Sequence, residues 1–160
     1  MDVLVVRLEL AGERYGIPAA HVVEVVPAVP LRAVPGMRDG VVGLLRFRGR
    51  VVPVVDLSLA WGGGATARRM STRIAICDLP ADGDRPAGCV GILAEHVTSV
   101  TRLDPDTAGA GTVPETPGAR GLGRLVKDGD GLLQLVRPSE LLAADLLASL
   151  LRDAPEAAAW

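Results

Sequence analysis

Three arginines stand close together in the stretch 43–57, which reads GLLRFRGRVVPVVDL. They are Arg46, Arg48 and Arg50. Three guanidinium groups at this spacing could bind an anion, and a small barrel that binds a metabolite or RNA through this hairpin is one functional hypothesis. The alternative, which we favour, is a solvated strand face on which Arg48 pairs with Asp56 or Glu24.

Few other side chains could carry out chemistry. His21 and His96 occupy equivalent positions of an internal repeat, which favours a shared packing role over catalysis or metal binding. Cys77 and Cys89 lack the spacing of metal ligands. They lie on either side of a polar turn, where paired strands could let them face each other, and we expect two reduced core thiols. The sequence therefore predicts no catalytic residue, no metal, no cofactor and no enzymatic activity.

Composition narrows the class of protein further. The 160 residues are 49% hydrophobic but only 2% aromatic, so we expect a core of aliphatic side chains. A net charge of −2 provides no general attraction for nucleic acid, and the few aromatics offer little surface for base stacking. The N-terminal run is interrupted by charges, and no uncharged apolar stretch approaches a membrane span. We therefore expect a cytoplasmic protein without membrane insertion.

Short apolar runs separated by turn residues predict an all-β fold with short helices. The β-branched run VVPVV at 51–55 follows Gly49, which suits a tight hairpin loop. Ser58 is a plausible cap for a short helix, and Ser139 for a C-terminal helix over 139–154. We expect strands at 3–10, from 15, and at 22–26, 43–57, 72–79, 88–94, 97–103, 121–126 and 131–136.

An internal repeat suggests two similar units. GIPAAHVVEVV at 16–26 agrees with GILAEHVTSVT at 91–101 in six of eleven positions. About five strands per unit predict two small β-barrels that share an interface. We expect approximate halves at 14–70 for one barrel, and at 3–13 plus 71–136 for the other.

Several of these segments resemble the CheW-like domain, the coupling protein of bacterial chemotaxis-type signalling. The segments are Tyr15-Gly16-Ile17, Val22 to Val26, Gly43, Arg48-Gly49 with VVPVVDL, VGILAEHV at 90–97, and the closing GLGRL and GLLQL. The resemblance covers about residues 3 to 150 and implies two five-stranded SH3-like β-barrels packed together, with a C-terminal helix. VVEVVPAVPL and STRI look more like coupling proteins of surface-sensing (Wsp-type) pathways.

The resemblance also implies partners and the residues that meet them. One barrel edge would bind the regulatory domain of a CheA-type histidine kinase, and a groove between the barrels would take the cytoplasmic tip of a methyl-accepting chemoreceptor. The residues carried over to the kinase interface are Glu24, Val25, Arg48 and Asp56. Those carried over to the receptor interface are Gly43, Val97 and Val100. The chain departs from the family at Arg46, where Asn is frequent, and at Glu95, where Asp is frequent.

Overall fold

The structure, a computed structural model, describes residues 3–38, 40–83, 85–104 and 120–153. Within these ranges the chain forms ten strands, two short α-helices and two single turns of 3₁₀ helix, at Ala19–His21 and Pro138–Glu140. The strands are β1 Val3–Leu10, β2 Glu13–Pro18, β3 Val22–Pro27, β4 Val41–Phe47, β5 Arg50–Asp56, β6 Arg73–Leu79, β7 Gly88–Ala94, β8 His96–Leu103, β9 Leu122–Asp128 and β10 Gly131–Val136. The helices are α1 Leu57–Ala60 and α2 Ala144–Asp153.

The strands form two five-stranded sheets. The first sheet has the order β8-β1-β2-β10-β9, and the second has the order β3-β6-β7-β5-β4. Most neighbours are antiparallel, but β10 pairs with β2 and β5 pairs with β7 in parallel. The predicted all-β pair of five-stranded units is confirmed.

The predicted halves are wrong, because the two repeat units exchange their first strands. In sequence, β2 and β7 begin the two similar segments, yet β2 lies in the sheet of β8, β9 and β10, while β7 lies with β3, β4 and β5. The segment 22–94 therefore forms the whole second sheet and is inserted into the first. The exchange follows from the turn at 11–12, which pairs β2 with β1 as a hairpin, and from the two parallel pairings, which cross between units.

Three apolar clusters fill the space around the sheets. The largest, here called the shared core, joins residues of both sheets with the C-terminal segment, for example Leu8 and Ile17 with Ala75 and Ile92. Smaller clusters lie on the other face of each sheet, around Val5 and Leu133 in the first and around Leu45, Val54 and Ile76 in the second. Each sheet thus buries both faces, which explains why all seven residues of β7 are buried.

The C-terminal helix begins later than predicted. Ser139 lies within the 3₁₀ turn Pro138–Glu140, and α2 starts only at Ala144, so Ser139 does not cap it. Leu146 and Leu147 on this helix are buried in the shared core. Burying each contributes roughly 1.5–3 kcal/mol, so the helix covers the core as expected. In the described part of the chain, no helix is both long and apolar enough to cross a membrane.

Candidate interaction surfaces

The arginine-bearing hairpin turns through two residues. Phe47 pairs directly with Arg50, which leaves Arg48 and Gly49 as the loop. Both have positive φ, 49° and 75° respectively, as the twist of a two-residue hairpin requires. Gly49 adopts this conformation readily, whereas Arg48 is held there against its intrinsic preference. The predicted hairpin is confirmed, and its turn fixes where Arg48 points.

Arg48 reaches the edge strand β3. Its Nη2 lies 3.6 Å from Glu24 Oε2, and its guanidinium carbon lies 4.9 Å from the centroid of the Phe47 ring. Both charged side chains are largely exposed, so the pair contributes at most about 1 kcal/mol. Its value is geometric, because it links β3 and β4, the two outer strands of the second sheet. Of the two predicted partners of Arg48, Glu24 is confirmed.

The three arginines do not converge on one anion site. Cross-strand partners share a face of a hairpin, and Arg50 is opposite Phe47, while Arg46 is opposite Val51. Arg46 and Arg50 therefore project from opposite faces. This geometry removes the support for a metabolite or RNA site built from all three.

Asp56 lies at the far end of β5 from Arg48 and does not form a surface. Its side chain is 1% exposed. One carboxylate oxygen accepts a hydrogen bond from the Thr66 backbone N–H at 2.7 Å. The other accepts from the Thr66 hydroxyl at 2.7 Å and from the Leu59 N–H at 3.4 Å. Asp56, rather than the predicted Ser58, is thus the N-cap of α1. The predicted Arg48–Asp56 pairing is wrong, because Asp56 anchors the loop that follows α1.

The edge strand β3 exposes a different valine from the one predicted. Val25 is partly buried and packs against the shared core, whereas Val23 is 43% exposed beside the exposed Glu24. A register shift between Val22 and Glu24 in the pairing with β6 displaces Val23 outward. A β-bulge leaves no clear mark in a valine-rich run, so the alternation of residues could not reveal it.

Gly43 is buried under the segment that follows β3. A Cβ at this position would lie 2.7 Å from the Leu31 Cβ and 2.9 Å from the Arg32 carbonyl oxygen. The backbone also has a φ of +156°, which side-chain-bearing residues rarely adopt. Next to it, the backbones of Arg32 and Leu44 exchange two hydrogen bonds of 2.9 Å. Gly43 therefore permits close packing, and the structure does not place it at a surface.

Val97 and Val100 lie on β8, at an edge of the first sheet, and share one face. Val97 pairs with Leu8 and Val100 pairs with Val6, so both valines are on the face that carries the shared core. Val97 packs against that core, whereas Val100 is 59% exposed. Leu4, on the same face by alternation, is 47% exposed. Leu4 and Val100, next to the buried Val6, form an exposed apolar surface, here called the cleft patch.

The histidines and cysteines differ from expectation in their placement. His21 and His96 are both exposed, so the predicted packing role is wrong. Both cysteines are buried and reduced, as predicted. They do not face each other, since Cys77 pairs with Val90 and lies in the shared core, while Cys89 lies on the opposite face of the sheet. Burial raises the pKa of the Cys77 thiol to about 12, with a smaller contribution from Cys89. Among the described residues, no group of three potential ligands could hold a metal ion.

A buried ion-pair network, missed from the sequence, fixes the β9–β10 hairpin. Asp128 has a side chain only 2% exposed and forms ion pairs with Arg14 and Arg7. Arg7 also contacts Asp130 at 3.0 Å, and the Asp130 N–H donates to Asp128 at 2.9 Å. Burial alone would raise the pKa of Asp128, but hydrogen bonds from Arg14 and Asp130 and the two arginine charges lower it overall. No spacing of residues in the sequence indicates this network, because its members come from three separate strands.

Comparisons with known proteins agree with this architecture. The model of the CheW-like domain matches residues 4–146. The Chemotaxis protein CheW of Helicobacter pylori is 29% identical over 143 residues, covering 85% of this chain and 79% of that protein. The crystal structure of the scaffolding protein TtCheW from Thermoanaerobacter tengcongensis superimposes with a TM-score of 0.71 and 24% identity, covering 86% of this chain and 85% of that one. Because the two sequences are only 24% identical, the similarity of the two structures shows a shared fold and nothing more.

Proposed function

This chain belongs to the CheW-like domain family, and we propose that it is a non-enzymatic adaptor that couples a chemoreceptor-type sensor to a CheA-type histidine kinase. The observation that carries the proposal is the family match, which extends over residues 4–146 and so includes both sheets and the start of α2. An adaptor of this kind needs two separate binding surfaces and no reacting groups. Two candidate surfaces lie on different sheets of the described structure.

The kinase-facing surface is the outer edge of β3 with the hairpin tip. β3 is the last strand of the second sheet, and no described strand pairs with its outer side. Such an edge presents backbone hydrogen-bonding groups to a partner strand. Val23 supplies apolar contact area, while Glu24 and Arg48 supply charges that set the register. The partner is the regulatory domain of the kinase, and a moderate contact of roughly 600–800 Å² per side fits a reversible assembly.

The receptor-facing surface is the cleft patch on the first sheet. Val100 and Leu4 together expose aliphatic surface on the face of the first sheet that carries the shared core. An exposed apolar surface of this kind suits the side of an amphipathic helix. Its partner is the cytoplasmic tip of a methyl-accepting chemoreceptor, which places the adaptor in the cytoplasm. Val97, on the same strand as Val100, packs against the shared core and so holds this part of β8 in place. Gly43 acts indirectly, by packing.

Two variants test the proposal by separating the two surfaces. Val23→Asp combined with Glu24→Arg should weaken binding to the kinase regulatory domain at least about tenfold, or about 1.4 kcal/mol, and leave receptor binding intact. Val100→Asp should do the reverse. Binding is measured by calorimetry against a kinase regulatory domain and a receptor-tip fragment from the same genome. Circular dichroism of each variant checks the fold. The substitution is made at Val23 and not at Val25, because a charged side chain at position 25 would lie against the shared core.

Two arginine variants serve as the matched pair for the hairpin. Arg48→Ala should reduce kinase binding more than Arg46→Ala, because only Arg48 contacts Glu24 among the described residues. Equal losses would contradict the assigned geometry of the tip. If the β3 variant and Val100→Asp both bound each partner as the wild type does, neither surface would belong to an adaptor interface. A surface-sensing output stays a prediction, and the genes beside this one would test it.

A further inference from the structure

A cavity opens at one end of the first sheet, where Pro18 and Val136 lie. Its first compartment has a volume of about 280 Å³ and a second one about 240 Å³. The linings of the two compartments share Pro18, Val136 and Arg137, so the compartments are adjacent. β2 and β10 are parallel and both end here, at Pro18 and Val136, while the antiparallel β9 begins here. The cavity therefore lies where three neighbouring strands of the first sheet end or begin, and such clefts are frequent places for small-ligand sites.

The two compartments differ in charge. The first is lined by the apolar side chains of Pro18, Leu122 and Leu135 together with two arginines, Arg124 and Arg137, and contains no acidic residue. The second adds His21, Asp78 and Ser139. The carboxylate of Asp78 disfavours an anion in the second compartment. An anionic group is therefore expected at Arg137, with its apolar body against the floor of the first compartment.

Arg137 is held in position by its own contacts. Its Nη2 donates to the Leu122 carbonyl oxygen at 3.0 Å, and its Nε lies 3.0 Å from Glu140 Oε2. Glu140 is half exposed and does not line either compartment. Nη2 and Nε of this guanidinium are thus both engaged. A guanidinium fixed in this way is preorganised to donate to a carboxylate.

We propose that this cavity is a binding site for a small organic carboxylate with an apolar body, held by Arg137 over the floor formed by Pro18, Leu122 and Leu135. The ligand would enter one barrel of the adaptor, at strands other than β3 and β8. Its affinity is expected to be modest, with a dissociation constant in the millimolar range for a ligand of about ten heavy atoms.

The test compares phenylacetate with phenylacetamide, which has nearly the same shape and no charge. In ¹⁵N-labelled full-length chain, phenylacetate should shift the amide signals of Gly123 and Val136 in a saturable manner. It should bind about tenfold more tightly than the amide, as one charge-assisted contact provides. Equal affinities, shifts confined to other regions, or no saturation up to about 50 mM would overturn the proposal. This comparison requires no variant.

Two substitutions then locate the charge. Arg137→Gln should abolish the preference for phenylacetate, and Arg137→Lys should keep only part of it, since lysine lacks the planar fork. Arg46→Gln, which removes an exposed arginine from the second sheet, should leave the preference unchanged. A preference that survives Arg137→Gln in a folded variant would show that the anion binds elsewhere. The wild-type comparison decides the matter if that variant does not fold.

Discussion

The substitution Asp56→Ala should destabilise the protein strongly, although family resemblance suggests an interface residue. The change removes three hydrogen bonds to a carboxylate that is 1% exposed, two from Thr66 and one from Leu59. Each hydrogen bond to a charged group contributes roughly 1.5–3 kcal/mol, and the Thr66 donors would be left unsatisfied. Because such losses are not additive, we expect a total of about 3–5 kcal/mol. That is a large part of a typical domain stability of about 5–15 kcal/mol.

The assay is equilibrium unfolding in guanidinium chloride, with the midpoint and slope fitted for each variant. Thr66→Val removes only the hydroxyl contact and should cost about 1.5–3 kcal/mol, while the double variant should lose less than the sum. Asp145→Ala removes an exposed aspartate paired with Arg38 at 3.2 Å and should cost less than about 1 kcal/mol. A loss below about 1 kcal/mol for Asp56→Ala would refute the reasoning. Normal stability combined with lost kinase binding would instead make Asp56 a contact residue.

Two further predictions concern the ion-pair network and a packed glycine. Because the folded-state pKa of Asp128 is lowered, its ionised form stabilises the fold above the ordinary pKa of about 4, and this contribution is lost as the pH falls through the lowered value. Asp128→Asn should therefore lower the free energy of unfolding, measured in urea, by about 2 kcal/mol at pH 7 and by progressively less below about pH 4. A loss of stability that did not depend on pH would contradict this reasoning. Asp130→Asn, at an exposed site, should change stability little. Gly43→Ala should lower the free energy of unfolding by about 1–3 kcal/mol in thermal unfolding, because the added Cβ would overlap Leu31. Gly129→Ala is the control and should be neutral, because nothing lies within 4 Å of a Cβ at that position. Equal effects of the two substitutions would contradict the packing explanation.

The local elements could be predicted because their signals are short in range. The Arg48-Gly49 turn follows from the apolar runs on either side of it and from the φ that glycine tolerates. The burial of β7 follows from an almost unbroken apolar run. The sequence predicted Glu24 or Asp56 as the acidic partner of Arg48, and the three-dimensional structure was needed to distinguish between them.

The features that escaped prediction depend on contacts distant in sequence. The two repeat units exchange their first strands, and sequence similarity alone cannot distinguish this arrangement from two self-contained halves. The exposure of Val23 depends on a bulge that the residue types do not mark. Asp128 meets Arg7 across more than a hundred residues, so no local pattern announces the pair. At these places tertiary pairing overrides what the neighbouring residues suggest.

The insertion of the second sheet has a consequence for how the chain matures on the ribosome. Residues 22–94 hold every strand of that sheet, so it can assemble as soon as β7 has emerged. β1 and β2 emerge first, yet their hairpin cannot complete the first sheet until β8, β9 and β10 are synthesised. We therefore expect the second sheet to fold first, and the segments before and after it to form the first sheet against it.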